Sequence, residues 1–511
     1  MSALDADRRL CDAAVIDVGS NSVRLVFYRI EGRAVWTVYN EKILAGLGRD
    51  LASTSRLSPR GMATALSALR RFGALIEASR PRKVFAVATA AVREAIDGPE
   101  FSRRVAGETG IALRILTGEE EARYAALGVL DGAPASSGLV GDLGGASLEL
   151  VRLTAGAPGK GVTLPLGPFA VRADGPFDAA RVRRAATRYL DPIARDMSSE
   201  TFNAVGGAWR NLALLHMRIS NYPLEIVHQY EIERREALEA ARFIAQQSRA
   251  SLERMEGISR RRVEALPHAA VILETLIEGL NVQSVVLSAF GLREGLVFED
   301  MAPDVRALDP LIEGCAALGG RAAMAEALGA ALETWMAAAF ARLPAVFGER
   351  DATLLAAACR LAEMGAQLHP DHRPELMFAA VLRAPIAGMN HPERVFIACA
   401  IFARHSGSTA APSPALIERL LSPERRARAR ALGTAIRLGC DMSGRSPGLL
   451  AHARLEIRPN AVILEADEGW AATLLGEQTA KRAGALAGQL GRELRIRALP
   501  ATATPPDRQT G

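Results

Sequence analysis

A twelve-residue phrase occurs twice in this chain, 125 positions apart. Val15-Ile16-Asp17-Val18-Gly19-Ser20-Asn21-Ser22-Val23-Arg24-Leu25-Val26 returns as Val140-Gly141-Asp142-Leu143-Gly144-Gly145-Ala146-Ser147-Leu148-Glu149-Leu150-Val151. Aligned without a gap, the aspartate, the first glycine, the serine and the closing Leu-Val coincide. Each copy reads as an apolar strand ending in Asp, a tight Gly-rich turn and an outgoing strand. The side-chain period of two puts Ser22 with Arg24 on one face, and Ser147 with Glu149 on one face. Two facing hairpins of this kind offer two rows of backbone N–H groups and two carboxylates to one phosphate–metal unit.

At 511 residues the chain exceeds one core, and roughly two to four domains are expected. Apolar residues make up 49% and charged residues 23%, the balance of a soluble globular protein rather than a disordered one. A net charge of +5 is small for this length; it suits a protein that handles anions without indicating nucleic-acid binding. Aromatic residues, at 5%, are too few for a base-stacking surface. Cys11, Cys315, Cys359, Cys399 and Cys440 are scattered, odd in number and free of any CxxC pair. That pattern disfavours a disulfide framework or a zinc-thiolate site and points to a reducing compartment. Residues 1–12 are polar and charged, and no apolar run is long enough to span a bilayer, so the expected location is the cytoplasm. Peripheral membrane association stays open.

Strand and helix signals alternate through the first 300 residues with short connections, which predicts an α/β layer fold. Strand, turn, strand, Glu31-Gly32 turn, strand covers Ala13–Lys42. Ser58 is the expected N-cap of a helix with Pro59 at its first position. Lys83–Ala88 and Ile111–Leu116 read as strands, Ala90–Ala95 as a helix start, and Gly132–Gly138 as a hinge. A helix over about Asp178–Asp196 and a strand at Thr201–Val205 follow, then Gly206-Gly207 and a helix through Met217. Glu231–Leu280 reads as one long helical stretch, Ser284–Ser288 as a strand, and Ala302–Pro310 as a linker. From Leu311 to Leu450 nearly everything is Ala/Leu-rich helix. Two short strands over His452–Glu465, one helix over Ala472–Leu490 and a disordered tail from Pro500 complete the chain.

Several positions carry possible chemistry. Gly144 and Gly145 cost conformational entropy unless something approaches their backbone closely. Successive N–H groups in such a turn make a concave anion site, and Asp142 and Glu149 can hold a divalent cation against a bound phosphate. Gly118-Glu119-Glu120-Glu121-Ala122-Arg123 follows a strand and opens a helix. The helix dipole explains Glu119 and Glu120. Glu121, one step deeper, is placed either for the same reason or to face a cleft and take a proton from water. Gly206 and Gly207 either bind phosphate at a helix N-terminus or allow a tight turn. Arg293, in Gly291-Leu292-Arg293-Glu294-Gly295, has the fork for bidentate phosphate contact, as does Arg93; taken alone, each is better explained by a surface ion pair. His369-Pro370-Asp371-His372 reads as a solvated turn rather than a metal site. Arg260–Arg262 and Arg425–Arg430 read as exposed helix faces, with guidance of a polyanion as the functional option. His268 reads as a packed helix-start residue.

Taken together and in order, five motifs resemble those of the exopolyphosphatase and guanosine pentaphosphatase family, within the actin-like phosphotransferase superfamily. They are Asp17-x-Gly-Ser-Asn-Ser, Ala88-Thr-Ala-Ala-Val-Arg93, Thr117-Gly-Glu-Glu-Glu-Ala122, Asp142-x-Gly-Gly-Ala-Ser-x-Glu149 and Gly291-Leu-Arg-Glu-Gly295. The resemblance covers about residues 13–300. It implies an α/β fold of two actin-like (ribonuclease H-like) lobes, residues 1–133 and 134–302. Residues 303–511 would be a mostly helical HD-like domain with a small α+β C-terminal piece. The His-Asp metal pair of such domains would fall near Ala362-Glu363, where the histidine is missing; a scaffold, oligomer interface or polyphosphate-binding extension is implied instead. The family's catalytic carboxylate falls on Glu121. Asp142 and Glu149 match metal and water ligands, with Asp17 as a further candidate. Gly19, Ser20, Asn21, Ser22, Gly144, Gly145, Ala146 and Ser147 match the phosphate loops, joined by Gly206 and Gly207. Arg24, Arg93 and Arg293 match basic residues facing the phosphate chain. Ala146 stands where the family usually has a third glycine; if that position needs φ > 0, alanine costs about 1 kcal/mol.

The implied reaction is in-line attack of water on the terminal phosphoryl group of inorganic polyphosphate, with Mg²⁺ (or another divalent cation such as Mn²⁺) and Glu121 as base. Guanosine pentaphosphate is the alternative substrate of the same site. An actin-like ATPase or kinase is a further alternative, favoured by the Gly206-Gly207 turn and disfavoured by a glutamate in place of the kinase aspartate. A non-catalytic polyphosphate or alarmone sensor is disfavoured by the intact carboxylates. A homodimer is implied by the resemblance alone.

Overall fold

The computed structural model describes residues 11–171, 177–255, 263–320, 323–408 and 410–499. Arg260–Arg262 and the tail from Pro500 lie outside the described residues. The chain divides into two compact units, Met1–Pro310 and Leu311–Gly511.

The first unit holds two mixed sheets of matching topology. Strands β1 (Ala13–Val18), β2 (Val23–Glu31), β3 (Ala34–Ile43), β4 (Lys83–Ala88) and β5 (Arg114–Ile115) are ordered β3-β2-β1-β4-β5. Strands β6 (Gly138–Leu143), β7 (Leu148–Thr154), β8 (Ala157–Leu164), β9 (Thr201–Val205), β10 (Tyr230–Glu233) and β11 (Ser284–Leu287) are ordered β10-β11-β9-β6-β7-β8. In each sheet the first three strands form an antiparallel meander and the next pair parallel to the first. The repeated phrase is the first hairpin of each sheet.

Because both faces of each sheet are covered, the strands are apolar on both parities. In the first sheet Ala14, Ile16, Val18, Leu25 and Phe27 pack against Leu66, Leu69 and Phe72 of the helix Pro59–Ser79. Ala13, Val15, Val26 and Tyr28, one residue out of step, pack instead against Tyr124 and Leu127 of the helix Gly118–Gly132. In the second sheet Val140, Val151 and Leu153 meet Ala122, Ala126, Val129 and Leu130 of that same helix. One helix therefore lies between the two sheets. The helix Gly118–Gly132 serves both sheets. The helix Leu292–Asp300 returns to the first sheet through Leu296 and Val297.

The crossing of those two helices needs glycine. A Cβ on Gly128 would lie 2.1 Å from Gly291 O, and one on Gly295 would lie 1.9 Å from Tyr124 O. Backbone meets backbone at this point.

Asp131, on the last turn of the helix Gly118–Gly132, is 2% exposed and its Oδ2 has no hydrogen-bond partner. Burial pushes its pKa up to about 8, with Arg33 pulling it down and Glu294 adding to the rise. A carboxyl raised in the folded state contributes most below its unfolded pKa, near 4, and the contribution is lost as pH climbs through about 8. Asp131→Asn removes that dependence. The variant is expected to gain stability over the wild type steadily between about pH 5 and 9, by on the order of 1–3 kcal/mol at the upper end. Urea melts across that range check it; parallel stability curves would refute the assignment.

Several sequence expectations are corrected. The helical stretch expected from Glu231 begins as strand β10, in which buried Tyr230 and Ile232 alternate with exposed Glu231 and Glu233. Helices Arg234–Gln246, Arg249–Arg254 and Leu266–Gly279 follow. Only Arg114–Ile115 of the expected strand over Ile111–Leu116 pairs with a neighbour. Ser58 occupies the N-cap position, but its side chain makes no capping hydrogen bond. The expected linker contains a helical turn, Pro303–Arg306. His268 is buried at a helix start, as read, against Phe177.

The second unit is built from helices including Ala323–Phe340, Arg350–Arg360, Arg373–Arg383, His391–His405 and Pro423–Met442. A small sheet of β12 (Ala453–Ile457), β13 (Ala461–Asp467) and β14 (Glu493–Leu499) follows, with β12 antiparallel and β14 parallel to β13. The sequence reading missed β14, whose exposure pattern is only weakly alternating. The helix expected over Ala472–Leu490 breaks into Glu468–Leu474 and Glu477–Gln489. Arg425–Arg430 is not simply an exposed face: Arg425 donates to Val346 O (3.0 Å) and Arg428 to Pro344 O (2.7 Å). Glu363, at the expected HD-like position, is paired with Arg445 (3.3 Å) and Arg404 (3.9 Å). His369 and Asp371 are exposed, as a solvated turn requires.

Candidate functional site

The two hairpins match in detail. Asp17 is in register with Arg24, and Asp142 with Glu149. Each turn closes by the same hydrogen bond, Gly19 N–H to Ser22 O (2.9 Å) and Gly144 N–H to Ser147 O (3.0 Å). The central carbonyls are tied back in the same way. Ser20 O accepts from Gly48 N–H (2.8 Å) and Asn21 O from Gly46 N–H (3.0 Å). Gly145 O accepts from Phe169 N–H (2.8 Å) and Ala146 O from Gly167 N–H (3.1 Å).

The repeat thus includes a strap after the third strand of each meander, which sequence comparison missed. Gly46 lies 27 residues after Gly19, whereas Gly167 lies 23 after Gly144, because β2 and β3 have nine and ten residues and β7 and β8 have seven and eight. A comparison that allowed a gap would have found it. With the carbonyls held by the straps, the N–H groups of Ser20, Asn21, Gly145 and Ala146 remain unused among the described residues. Four undirected donors in two facing turns form the kind of nest that binds an oxyanion.

The turns approach each other: a Cβ on Gly145 would lie 3.2 Å from Ser20 Cβ and 3.3 Å from the Phe169 ring. Neither Gly144 nor Gly145 has positive φ, and Ala146 does not either. The alanine in place of the family's third glycine therefore carries no backbone strain.

Strand parity aims the polar side chains. Asp17 and Arg24 belong to the face of the first sheet that carries Val15 and Val26. Asp142 and Glu149 belong to the face of the second that carries Val140 and Val151. Both faces look toward the helix Gly118–Gly132, whose first turn carries the three glutamates. A capping box sets that turn: Thr117 Oγ1 accepts from Glu120 N–H (3.2 Å), and Glu120 accepts from Thr117 N–H (2.8 Å). Glu120 is thereby a cap and Glu119 is exposed, while Glu121 is 6% exposed and turned inward.

Arg93 donates to Glu121 and, at 2.9 Å, to Leu116 O. Expected at the phosphate chain, Arg93 is committed instead to orienting Glu121. Burial pushes Glu121 up to about 7; Arg93 opposes this, and Asp142 and Asp17 add to it. Asp142 rises to about 6 through burial and the neighbouring Asp17, against Arg293. Glu149, 3% exposed, rises well above the carboxylate range through burial and then through Glu121, with a Ser147 hydrogen bond opposing. Four carboxylates from both sheets and the shared helix therefore feel one another, a concentration of negative charge that calls for a cation.

Whether the residues suit a divalent ion can be judged from one atom. Glu149 Oε1 is buried and has no hydrogen-bond partner, an uncompensated acceptor beside Asp142. Asp17, the possible third ligand, is engaged by Arg293 Nη1 at 2.9 Å. Among the described residues no three Asp, Glu, His or Cys side chains converge to enclose an ion. The arrangement fits a Mg²⁺-like ion held by two carboxylates that takes its other ligands from phosphate and water.

Gly206 has φ +113°, and a Cβ there would meet Leu143 O at 2.7 Å and Asp142 Oδ1 at 3.3 Å. Its turn is therefore brought to the site by necessity of close approach. Glu294, which the sequence reading quoted only inside a motif, accepts from Tyr28 Oη (2.6 Å) and Gly291 N–H (3.0 Å). It anchors the turn bearing Arg293 to the first sheet. Burial lowers the Arg293 pKa, but Glu294 and Asp17 outweigh it and hold the guanidinium charged.

Comparison with known proteins agrees with this geometry. Residues 26–303 match the model of the Ppx/GppA phosphatase family, and residues 316–496 match the exopolyphosphatase C-terminal domain. The crystal structure of the Aquifex aeolicus Ppx/GppA family member is 25% identical, with a TM-score of 0.50 over 57% of this chain and 99% of its own. An exopolyphosphatase from Cytophaga hutchinsonii, 19% identical, shares the fold with a TM-score of 0.52 over 56% of this chain and 96% of its own. With more than half its length matched and the paired turns, the inward glutamate and the facing carboxylates in place, this chain belongs to the Ppx/GppA phosphatase family, the hydrolases of phosphoanhydrides.

Proposed function

We propose that the protein is an exopolyphosphatase that releases orthophosphate from the end of inorganic polyphosphate by direct attack of water. The observation that carries this reading is the close approach of two turns with unused N–H donors, flanked by carboxylates, Asp17 and Asp142, that act on one inward glutamate, Glu121. Polyphosphate presents no base, sugar or ring to recognise, only repeated oxyanions. A site made of N–H nests, arginines and carboxylates has the matching chemistry.

In this reading the N–H groups of Ser20, Asn21, Gly145 and Ala146 hold the terminal phosphoryl group. Glu121, oriented by Arg93, accepts a proton from the attacking water at its carboxylate. Its elevated pKa suits a base that must give that proton up again near neutrality. Arg24 and Arg293 face the bridging and leaving oxygens. Asp142 and Glu149 are the residues that would hold a divalent cation such as Mg²⁺ or Mn²⁺. Bound there, the ion would supply neutralisation of charge on the phosphate oxygens. Cytoplasmic location is part of this proposal on the strength of the scattered cysteines with no CxxC pair, and a homodimer on the family resemblance; among the described residues no helix is long and apolar enough to cross a membrane.

Phosphate release measured side by side, with Mg²⁺, from long-chain polyphosphate, tripolyphosphate, guanosine pentaphosphate and ATP tests the reading. Preferential release from the polyphosphates is expected. Dominance of guanosine pentaphosphate would make that alarmone the substrate of the same site, and dominance of ATP would overturn the proposal.

A further inference from the structure

In the second unit, buried polar atoms without partners gather around Glu363. We propose that this place is a binding site for inorganic hydrogen phosphate, held by Arg404, Arg445 and Arg373 and recognised through its own O–H group. Orthophosphate is also the product under the proposed function, yet nothing in the site depends on that reading.

The site begins at a helix crossing. A Cβ on Gly433 would lie 2.0 Å from Ala400 O and 2.9 Å from Arg404 N, so the helices His391–His405 and Pro423–Met442 touch backbone to backbone. That contact carries Arg404 inside, where it is 5% exposed. Among the described residues its carboxylate contact is Glu363 Oε1 at 3.9 Å, too far for a hydrogen bond. Arg404 Nε is buried without a partner, and so is Glu363 Oε1. Buried donors and acceptors left in this way are unfavourable unless something supplies their bonds.

Charge around Glu363 is unbalanced. Arg445 Nη1 donates to Glu363 Oε2 at 3.3 Å, so two guanidinium groups face one carboxylate. Arg373 adds a third. Its Nη2 donates to Ala366 O (3.2 Å) and Leu368 O (2.7 Å), in the turn closed by Ala366 N–H to Glu363 O (3.1 Å). Arg373 Nε is buried without a partner, and among the described residues Arg373 forms no ion pair. Asp441, on the helix Pro423–Met442, gives no relief, since Arg437 (3.8 Å) and Arg482 (2.8 Å) already share it.

His405 supplies the selectivity. Burial, then the charges of Arg404, Arg373 and Arg445, push its pKa down to about 3, so the ring is neutral. A hydrogen bond with the backbone of Met364, next to Glu363, opposes this, as a ring N–H given to a carbonyl does. Nε2 is then a buried acceptor with no donor, and Glu363 Oε1 is a second. Spare guanidinium donors and spare acceptors thus occur together. Sulfate offers acceptors only. Hydrogen phosphate offers oxygens to the arginines and an O–H to Glu363 or His405, which matches both sets.

Hydrogen–deuterium exchange of the full chain, with orthophosphate, sulfate or tripolyphosphate at equal ionic strength, shows where each anion binds. Orthophosphate is expected to slow exchange in residues 361–368 and 402–407, and sulfate to leave both segments unchanged. Equal protection by sulfate would mark an unselective basic patch and overturn the inference. So would protection by tripolyphosphate and not by orthophosphate, or no protection in the second unit. Arg445, whose side chain is 46% exposed, is the variant least coupled to packing. Arg445→Ala should raise the orthophosphate concentration needed for protection about 10- to 100-fold and barely move the thermal midpoint. An unchanged requirement would overturn the inference; should the variant fail to fold, the wild-type exchange pattern decides alone.

Discussion

Glu121→Gln is expected to bind polyphosphate and hydrolyse it about 10²–10⁴-fold more slowly than the wild type. The substitution keeps the shape of the side chain and removes its capacity to take a proton from water. In the proposed site the groups that would hold the substrate lie elsewhere, in the N–H groups of the two turns and in the arginines. Loss should therefore fall on kcat rather than KM, the pattern of an interaction made only in the transition state. Steady-state phosphate release and titration of polyphosphate onto the variant separate the two quantities. Unchanged turnover would remove Glu121 from the chemistry. A raised KM with kcat intact would make it a binding residue instead.

Gly128→Ala should destabilise the first compact unit by about 3 kcal/mol or more, against the usual sign for such a change. Glycine within a helix normally costs about 0.5–1 kcal/mol relative to alanine, so an unconstrained site would be stabilised. Here the added methyl would sit 2.1 Å from Gly291 O and 2.6 Å from its carbonyl carbon. Those atoms are backbone and have no rotamer through which to escape. Relief requires the helices Gly118–Gly132 and Leu292–Asp300 to part, which moves Glu121 and Arg293 away from their partners. Activity and stability should fall together. Urea unfolding followed by fluorescence gives the sign directly, and a variant as stable as the wild type would show that the crossing is not tight.

Much of the first unit could be read from the chain. The hairpins at Asp17 and Asp142, the strand Lys83–Ala88 and the strand Thr201–Val205 are local patterns, with apolar runs bounded by Gly-rich turns. Glu121 stood apart from Glu119 and Glu120 through its depth in the helix turn, and it is the buried one of the three. Strand β10 and strand β14 were not legible, because an alternation of only four to seven residues carries too little signal without a partner strand in view.

The repeated strand–turn–strand phrase and the run of glutamates at a helix start were determined by sequence alone, because hydrogen bonding within a turn and side-chain parity along a strand are local. Only the tertiary structure decided that one helix lies between both sheets. That packing brings Asp17, Glu121, Asp142 and Glu149 within electrostatic reach of one another and pairs Arg93 with Glu121 and Arg293 with Asp17. Those outcomes depend on contacts between residues distant in the chain, 28 positions apart for Arg93 and Glu121 and 276 for Asp17 and Arg293, and on glycines whose missing methyl groups matter only when another backbone arrives to fill the space.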